Sequence, residues 1–284
     1  MTTTTIAQIS DTHLSDDRPY FNANFERLAE ALRAAKPDLV INTGDATLDG
    51  CDREADLRRA KAMHDALGLP YRVIPGNHDS GDSRNVGSKQ AIDEARRERY
   101  LEVFGADRWS HDIPGWRLIG INAQLLDSDL TAEREQADFL RGALAGAQGH
   151  AVALFLHKPL FQDTAEEPPV GGWFLTHKAR NSVLAAIAGA DVRLIASGHL
   201  HLFRETTPAM RHVWAPSTSF ILPDYFEPDW GPKVVGYVEH RLHEDGRSES
   251  RLVEPAAMTR NNMENFPGAY GDIRARARKA ASHD

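Results

Sequence analysis

A chain of 284 residues, 41% hydrophobic and 26% charged, has enough apolar side chain for a sizeable core. That excludes a disordered chain and permits one large α/β domain. A formal charge of −8 sets the mean surface field against nucleic acid and anionic lipid, and a single cysteine, Cys51, excludes an internal disulfide. No stretch approaches roughly 18 consecutive apolar residues. The opening Met-Thr-Thr-Thr-Thr lacks the basic and apolar regions of a signal peptide, so the expected address is the cytoplasm.

Short β-branched runs alternate with helical patterns: a strand over 4–10, a helix over 23–36, a strand over 38–43, a helix over 53–67 and a strand over 71–74. The alternation then predicts a helix over 89–104, a strand over 116–122, a helix over 131–147, a strand over 151–156, a helix over 176–188 and a strand over 192–196. Further on, 211–215, 233–240 and 248–253 read as strands joined by turns, so the last third is expected to add antiparallel strands. The main domain is expected over 1–254. Apolar periodicity fades after Pro255, which makes 255–284 a loosely packed or partner-contacting tail, with Arg274, Arg276, Arg278 and Lys279 solvated. Two Pro-containing connections, 166–172 and 223–232, are candidate lids.

The chemistry-bearing residues fall where predicted strands end. Asp11-Thr12-His13 follows the first strand, Gly44-Asp45 the second and Gly76-Asn77-His78-Asp79 the third; His157 and Gly198-His199-Leu200-His201 follow the apolar runs 152–156 and 192–196. In open α/β sheets, residues beyond the carboxyl ends of several strands converge on one crevice. Carboxylates, an amide oxygen and imidazoles without thiolates suit Mn, Fe, Zn or Co and argue against a structural zinc site. The pairs Asp11/His13 and His199/His201 point to one side if locally extended. Glycines at 44, 76 and 198 allow sharp turns and close backbone approach. Asp11, His13, Asp45, Asn77, His157, His199 and His201 are seven ligands, more than one ion needs, and two ions sharing a carboxylate fit that count. Each motif alone is common by chance, and His157 alone would read as a core histidine; their joint order specifies a site. The other eight histidines show no such grouping.

In this succession the sequence, over about residues 4–240, resembles the calcineurin-like metallophosphoesterase family, and within it the bacterial class III cyclic-nucleotide and glycerophosphodiester phosphodiesterases. The resemblance implies a four-layer α/β/β/α sandwich with two mixed sheets and a metal pair at the sheet edge. It implies that Asp11, His13 and His201 ligate one ion, that Asn77, His157 and His199 ligate the other, and that Asp45 bridges them. Two departures stand out. Leu48 stands where many relatives carry Asp or Asn, leaving Asp49 either to orient His78 or merely to close the turn. Lys158 follows His157 where relatives often have a second His, and would meet a substrate phosphate, a carboxylate or, as the commoner case, solvent.

Two cations about 3.5–4 Å apart would lower the pKa of a shared water and hold a phosphoryl group for in-line attack by the resulting hydroxide. His78, Asn77 and Asp49 are the expected catalytic residues. Asn77 would also steady phosphoryl oxygens, His78 would stabilise transition-state charge or protonate the leaving oxygen, and Asp79 would cap the next segment. Monoester phosphatases of this broad fold place an Arg directly after an Asp of the Gly-Asp loop; here that position is Gly50. The expected substrate is therefore a small phosphodiester: a cyclic nucleotide, glycerophosphodiester or phosphonate ester. Arg84 or Arg204 are the distant residues that could supply the missing charge. Competing readings are a phosphomonoesterase, a nuclease of the same fold, and a metal-binding regulatory protein without turnover. Acidic balance disfavours the nuclease, and the complete ligand set with His78 disfavours the last. Neither a membrane nor nucleic acid is an expected partner, and a homo-oligomer is compatible with the sequence.

Overall fold

Strands whose two faces are both apolar must be covered on both sides, and this chain covers them with a second sheet on one face and helices on the other. The computed structural model describes residues 1–168, 171–207, 211–226 and 229–281. Parts of both candidate lids (169–170 and 227–228), the final residues 282–284, and the Arg276 and Lys279 side chains lie outside the described residues. In Ala151–Phe155, Val152 and Leu154 pack against helices Thr131–Ala145 and His177–Ile187, whereas Ala153 and Phe155 point between the sheets. In Leu39–Asn42, Val40 meets helices Asn22–Ala35 and Glu54–Asp65, while Leu39 and Ile41 join the inter-sheet core. The result is the expected four-layer α/β/β/α sandwich.

The first sheet runs, in space, Ser248–Val253, Tyr237–His243, Thr3–Ile9, Leu39–Asn42, Tyr71–Val73; the last three strands are mutually parallel and the first two form an antiparallel addition. The second runs Trp109–Ile113, Trp116–Gly120, Ala151–Phe155, Val192–Ser197, Arg211–Trp214, Arg204–Thr206, antiparallel only at its two ends. Both sheets are mixed. Register keeps the parallel strand ends level, pairing Ile9 with Asn42 and Asn42 with Val73 in one sheet, and Phe155 with Ala196 in the other. Loops leaving these strands therefore meet at one edge.

Four expectations differ from the structure, the simplest being the strand expected over 233–240, which runs Tyr237–His243. Arg211–Trp214 pairs parallel to Val192–Ser197, so the last third is only partly antiparallel. The helix expected from 89 begins at Glu94, because the Asp93 side chain accepts from Arg96 N at 2.8 Å and fixes the start. The segment after Pro255 is not loose: Asn261–Asn262 adds a short parallel pairing to Phe220–Ile221, and Met263 and Ile273 are buried with Phe21, Leu48 and Phe220. Among the described residues no helix is long and apolar enough to cross a membrane.

Candidate metal centre

The site is assembled from adjoining loops that brace one another. Asp11 N donates to Gly44 O (2.9 Å), His13 N to Asp45 O (3.0 Å) and Leu14 N to Ala46 O (3.0 Å), while Gly198 N donates to His157 O (2.9 Å). Asp11, His13, Asp45, His199 and His201 adopt φ between 45° and 71°, and they are five of the eight non-glycine residues with positive φ among the described residues. L-residues avoid this region, so the strain marks a site whose side-chain directions are imposed by the fold. Gly44, at φ 105°, packs where a Cβ would lie 2.6 Å from His157 Nδ1. A Cβ on Gly76 would lie 2.2 Å from Asp45 Oδ1. Neither position tolerates a side chain.

All seven residues expected as ligands meet in one cluster. Asp11 Oδ1 lies 3.3 Å from His201 Nε2 and 4.0 Å from His13 Nε2, and these two imidazole nitrogens are 3.3 Å apart. On the other side, Asp45 Oδ2 lies 3.3 Å from His157 Nε2, which is 3.2 Å from both Asn77 Oδ1 and His199 Nδ1. Asp45 Oδ2 is also 4.0 Å from His13 Nε2, so this carboxylate stands between the two groups. The ring nitrogens pointing away from the cluster find backbone carbonyls: His157 Nδ1 at Thr43 O (2.8 Å), His199 Nε2 at Gly172 O (3.0 Å) and His201 Nδ1 at Phe220 O (2.9 Å). Such contacts place a proton on the outer nitrogen and leave the inward lone pair for a cation. Asp11 Oδ1 is buried and accepts no hydrogen bond, which is costly for a carboxylate oxygen unless a cation meets it. The donor set thus fits a pair of metal ions.

At His13, His199 and Asp45 the electrostatics agree with that fit, while His157 is held as a cation by Asp45 and must lose its inward proton to a metal. Burial, reinforced by the neighbouring His78, holds the His13 ring well below its ordinary pKa, and burial with His157 and Lys158 does the same for His199. Both rings stay neutral and able to ligate at neutral pH. Burial pushes the Asp45 carboxyl up, but His157 and His78 outweigh it and hold the group well below the carboxylate range. His157 shows the reciprocal effect: burial lowers it, Asp45 more than compensates, and it reaches about 9. Asp79 is raised to about 6 by burial and by Asp45. Its carboxylate accepts from Gly76 N, Ala46 N and Thr47 N at 2.8–3.0 Å, capping its own short helix and tying down the Asp45 loop.

His78 lies beside the cluster. Its backbone N–H donates to Asp45 Oδ1 (2.8 Å), its ring is within ligand reach of His13 and Asp45, and its Nδ1 meets Leu48 O at 2.7 Å. The Leu48 carbonyl, and not the Asp49 carboxylate, is thus the group hydrogen-bonded to the ring. Asp49 instead accepts from Arg18 Nη2 (2.9 Å) and Gln90 Nε2 (2.9 Å). Lys158, whose commoner role would be a solvated one, is fully buried and ion-paired with Asp82. A cleft of about 590 Å³ opens over His78, Asn77 and His199. Its lining also includes the polar Arg18, Asp49, Asp82 and Gln90 and the aromatic Trp173, Phe226 and Tyr270. Neither Arg84 nor Arg204 lines it. Sequence reasoning missed Arg18, which follows two acidic residues in an irregular loop, and Tyr270, which lies in the segment read as tail. The only available signal for the latter was the aromatic density of Phe266-Pro267-Gly268-Ala269-Tyr270.

A two-sheet α/β sandwich with carboxylates, an amide and imidazoles gathered at its parallel strand ends defines a class, the metal-dependent phosphoester hydrolases. The calcineurin-like phosphoesterase family model matches residues 4–203. A probable glycerophosphodiester phosphodiesterase, GpdQ, from Arcobacter nitrofigilis is 26% identical over 206 residues, covering 69% of this chain and 71% of its own. A probable cyclic nucleotide phosphodiesterase from a Pseudoalteromonas species is 26% identical over 254 residues, covering 84% and 87%. The fold superposes on a dimetal phosphatase from Danio rerio with a TM-score of 0.56 at 16% identity, covering 89% of this chain and 99% of that one. The chain belongs to the calcineurin-like phosphoesterase family.

Proposed function

We propose that the protein hydrolyses small phosphodiesters at a dinuclear centre in which Asp11, His13 and His201 hold one ion, Asn77, His157 and His199 the other, and Asp45 bridges. The observation that carries this is the position of Asp45 Oδ2 between His13 Nε2 and His157 Nε2. Mn, Fe, Zn or Co bound there would acidify a shared water and polarise the phosphoryl group. The chain supplies the rest. His78, its Nδ1–H donating to Leu48 O, keeps Nε2 for the reaction: in the doubly protonated ring the Nε2 proton passes to the leaving oxygen, and the ring returns to the neutral Nδ1–H form. Asn77 contributes its amide to the phosphoryl oxygens as well as to a ligand position.

Charge in the cleft favours a monoanionic diester. Among the described residues Arg18 is the one arginine lining the cleft, and Asp49 at 2.9 Å, Asp17 at 3.7 Å and Asp56 at 3.8 Å already surround its guanidinium. A dianionic monoester therefore lacks a free charge-assisted Arg contact, a loss of about 1.5–3 kcal/mol or one to two orders of magnitude in rate. Relatives named as glycerophosphodiester and cyclic nucleotide phosphodiesterases support the diester reading. The test compares kcat/KM for bis(p-nitrophenyl) phosphate and p-nitrophenyl phosphate at one pH and metal loading. A diester preference of tenfold or more is expected, and a monoester preference overturns it.

A further inference from the structure

The two halves of the ligand cluster are supported differently. His157 and His199 lean on Thr43 O and Gly172 O, backbone groups of the sandwich and its 166–172 connection. His13 instead leans directly on the last part of the chain, and His201 leans on Phe220, whose strand that last part pairs with. Tyr270 Oη lies 2.8 Å from His13 Nδ1 across 257 residues of sequence. The Tyr270 ring stands edge-on to His13 and His78, with centroids 5.9 Å away in each case, and 5.2 Å from Phe220. Phe220 packs its ring 5.0 Å from His13 and 4.4 Å from His201 and accepts from His201 Nδ1 through its carbonyl. The strand holding Phe220 is paired by Asn261–Asn262, and Asn261 Nδ2 donates to Ser219 O at 2.9 Å. The segment is anchored on the body of the domain as well: buried Asn24 exchanges hydrogen bonds with Thr259 N (2.9 Å) and Thr259 O (2.7 Å).

We propose that the C-terminal segment around Asn261–Tyr270 is a built part of the metal centre, with Tyr270 a positioning residue that holds His13 and so tightens the Asp11–His13–His201 ion selectively. The inference depends on the assignment of those three residues as ligands of one ion. His13 turns Nε2 toward Asp11 and His201, so as a ligand it must carry its proton on Nδ1. That N–H then donates to Tyr270 Oη, fixing both tautomer and ring angle, and outer partners of this kind are worth about 10–100-fold in metal affinity.

The experiment titrates metal-free protein with Co(II), following the d–d absorption and the bound metal per chain, for wild type, Tyr270→Phe, His13→Ala and the double variant. Tyr270→Phe removes one hydroxyl and keeps the ring, and circular dichroism of the metal-free protein checks its fold. Wild type is expected to bind two ions. Tyr270→Phe is expected to weaken one of them about 10–100-fold and leave the other unchanged. In the His13→Ala background the hydroxyl is expected to have no further effect. Two unchanged constants in Tyr270→Phe, or a loss that falls on the ion surviving in His13→Ala, overturns the role of Tyr270 and leaves the dinuclear assignment intact. Fewer than two ions in wild type overturns both.

Discussion

Acid should unfold the metal-free protein partly through His64, a buried residue that is not one of the ligands. Its ring is fully buried on helix Glu54–Asp65, between Phe25 and Tyr71 at centroid distances of 4.9 and 5.6 Å. Nδ1–H donates to Ala60 O (2.8 Å), which leaves Nε2 to accept from Asn42 Nδ2 (2.9 Å), and Asn42 Oδ1 in turn holds Gly44 N (2.9 Å). A second proton would set N–H against N–H at that contact. Burial accordingly lowers the ring from 6.5 to about 4. The folded pKa is depressed, so this contribution is fully present above about 6.5 and is lost as pH falls toward 4. At pH 5 the unfolded ring is protonated and the folded one is not, which removes about 2 kcal/mol relative to pH 7.5. Urea unfolding of chelator-treated protein at the two pH values measures it. His64→Gln, whatever its stability at pH 7.5, should lose about 2 kcal/mol less than wild type between them. Equal losses in the two proteins would refute the reasoning.

Three further outcomes concern the site. His78→Ala should keep both metals, since its link to Asp45 is through backbone N–H, yet lose roughly 10²–10⁴ in kcat; metal content falling in step with activity would make His78 a ligand. Asp45→Ala removes the shared negative charge between two cations and should empty the weaker position, so elemental analysis finding two tightly held ions would discredit the bridge. Gly76→Ala drives a methyl to within 2.2 Å of Asp45 Oδ1 and should cut metal affinity as severely as a ligand change; wild-type metal binding in this variant would mean the loop yields easily.

Much of the architecture was legible because its signals are local. Runs such as Val152–Leu156 declare a strand buried on both faces, and Asp11, Asp45, Asn77, His157 and His199 each stand just beyond one. Trp109–Ile113 was not legible: it is an edge strand with no buried residue and three polar positions, Ser110, His111 and Asp112, so no apolar run marks it. The partner of His78 was hidden for a different reason, since a carbonyl oxygen belongs to every residue and Leu48 advertises nothing. Lys158 reads as a surface residue until Asp82, far away in sequence, is seen to meet it in the interior. Tyr270 was missed because its segment packs through a few aromatic contacts spaced without helical or strand period, and periodicity is what marks an element in sequence.

The dinuclear assignment is tested most directly by anomalous diffraction from crystals grown with Mn. The account predicts two peaks, one among Asp11, His13 and His201, the other among Asn77, His157 and His199, with Asp45 between them. A single peak, or a second one coordinated by His78 in place of these ligands, would contradict it.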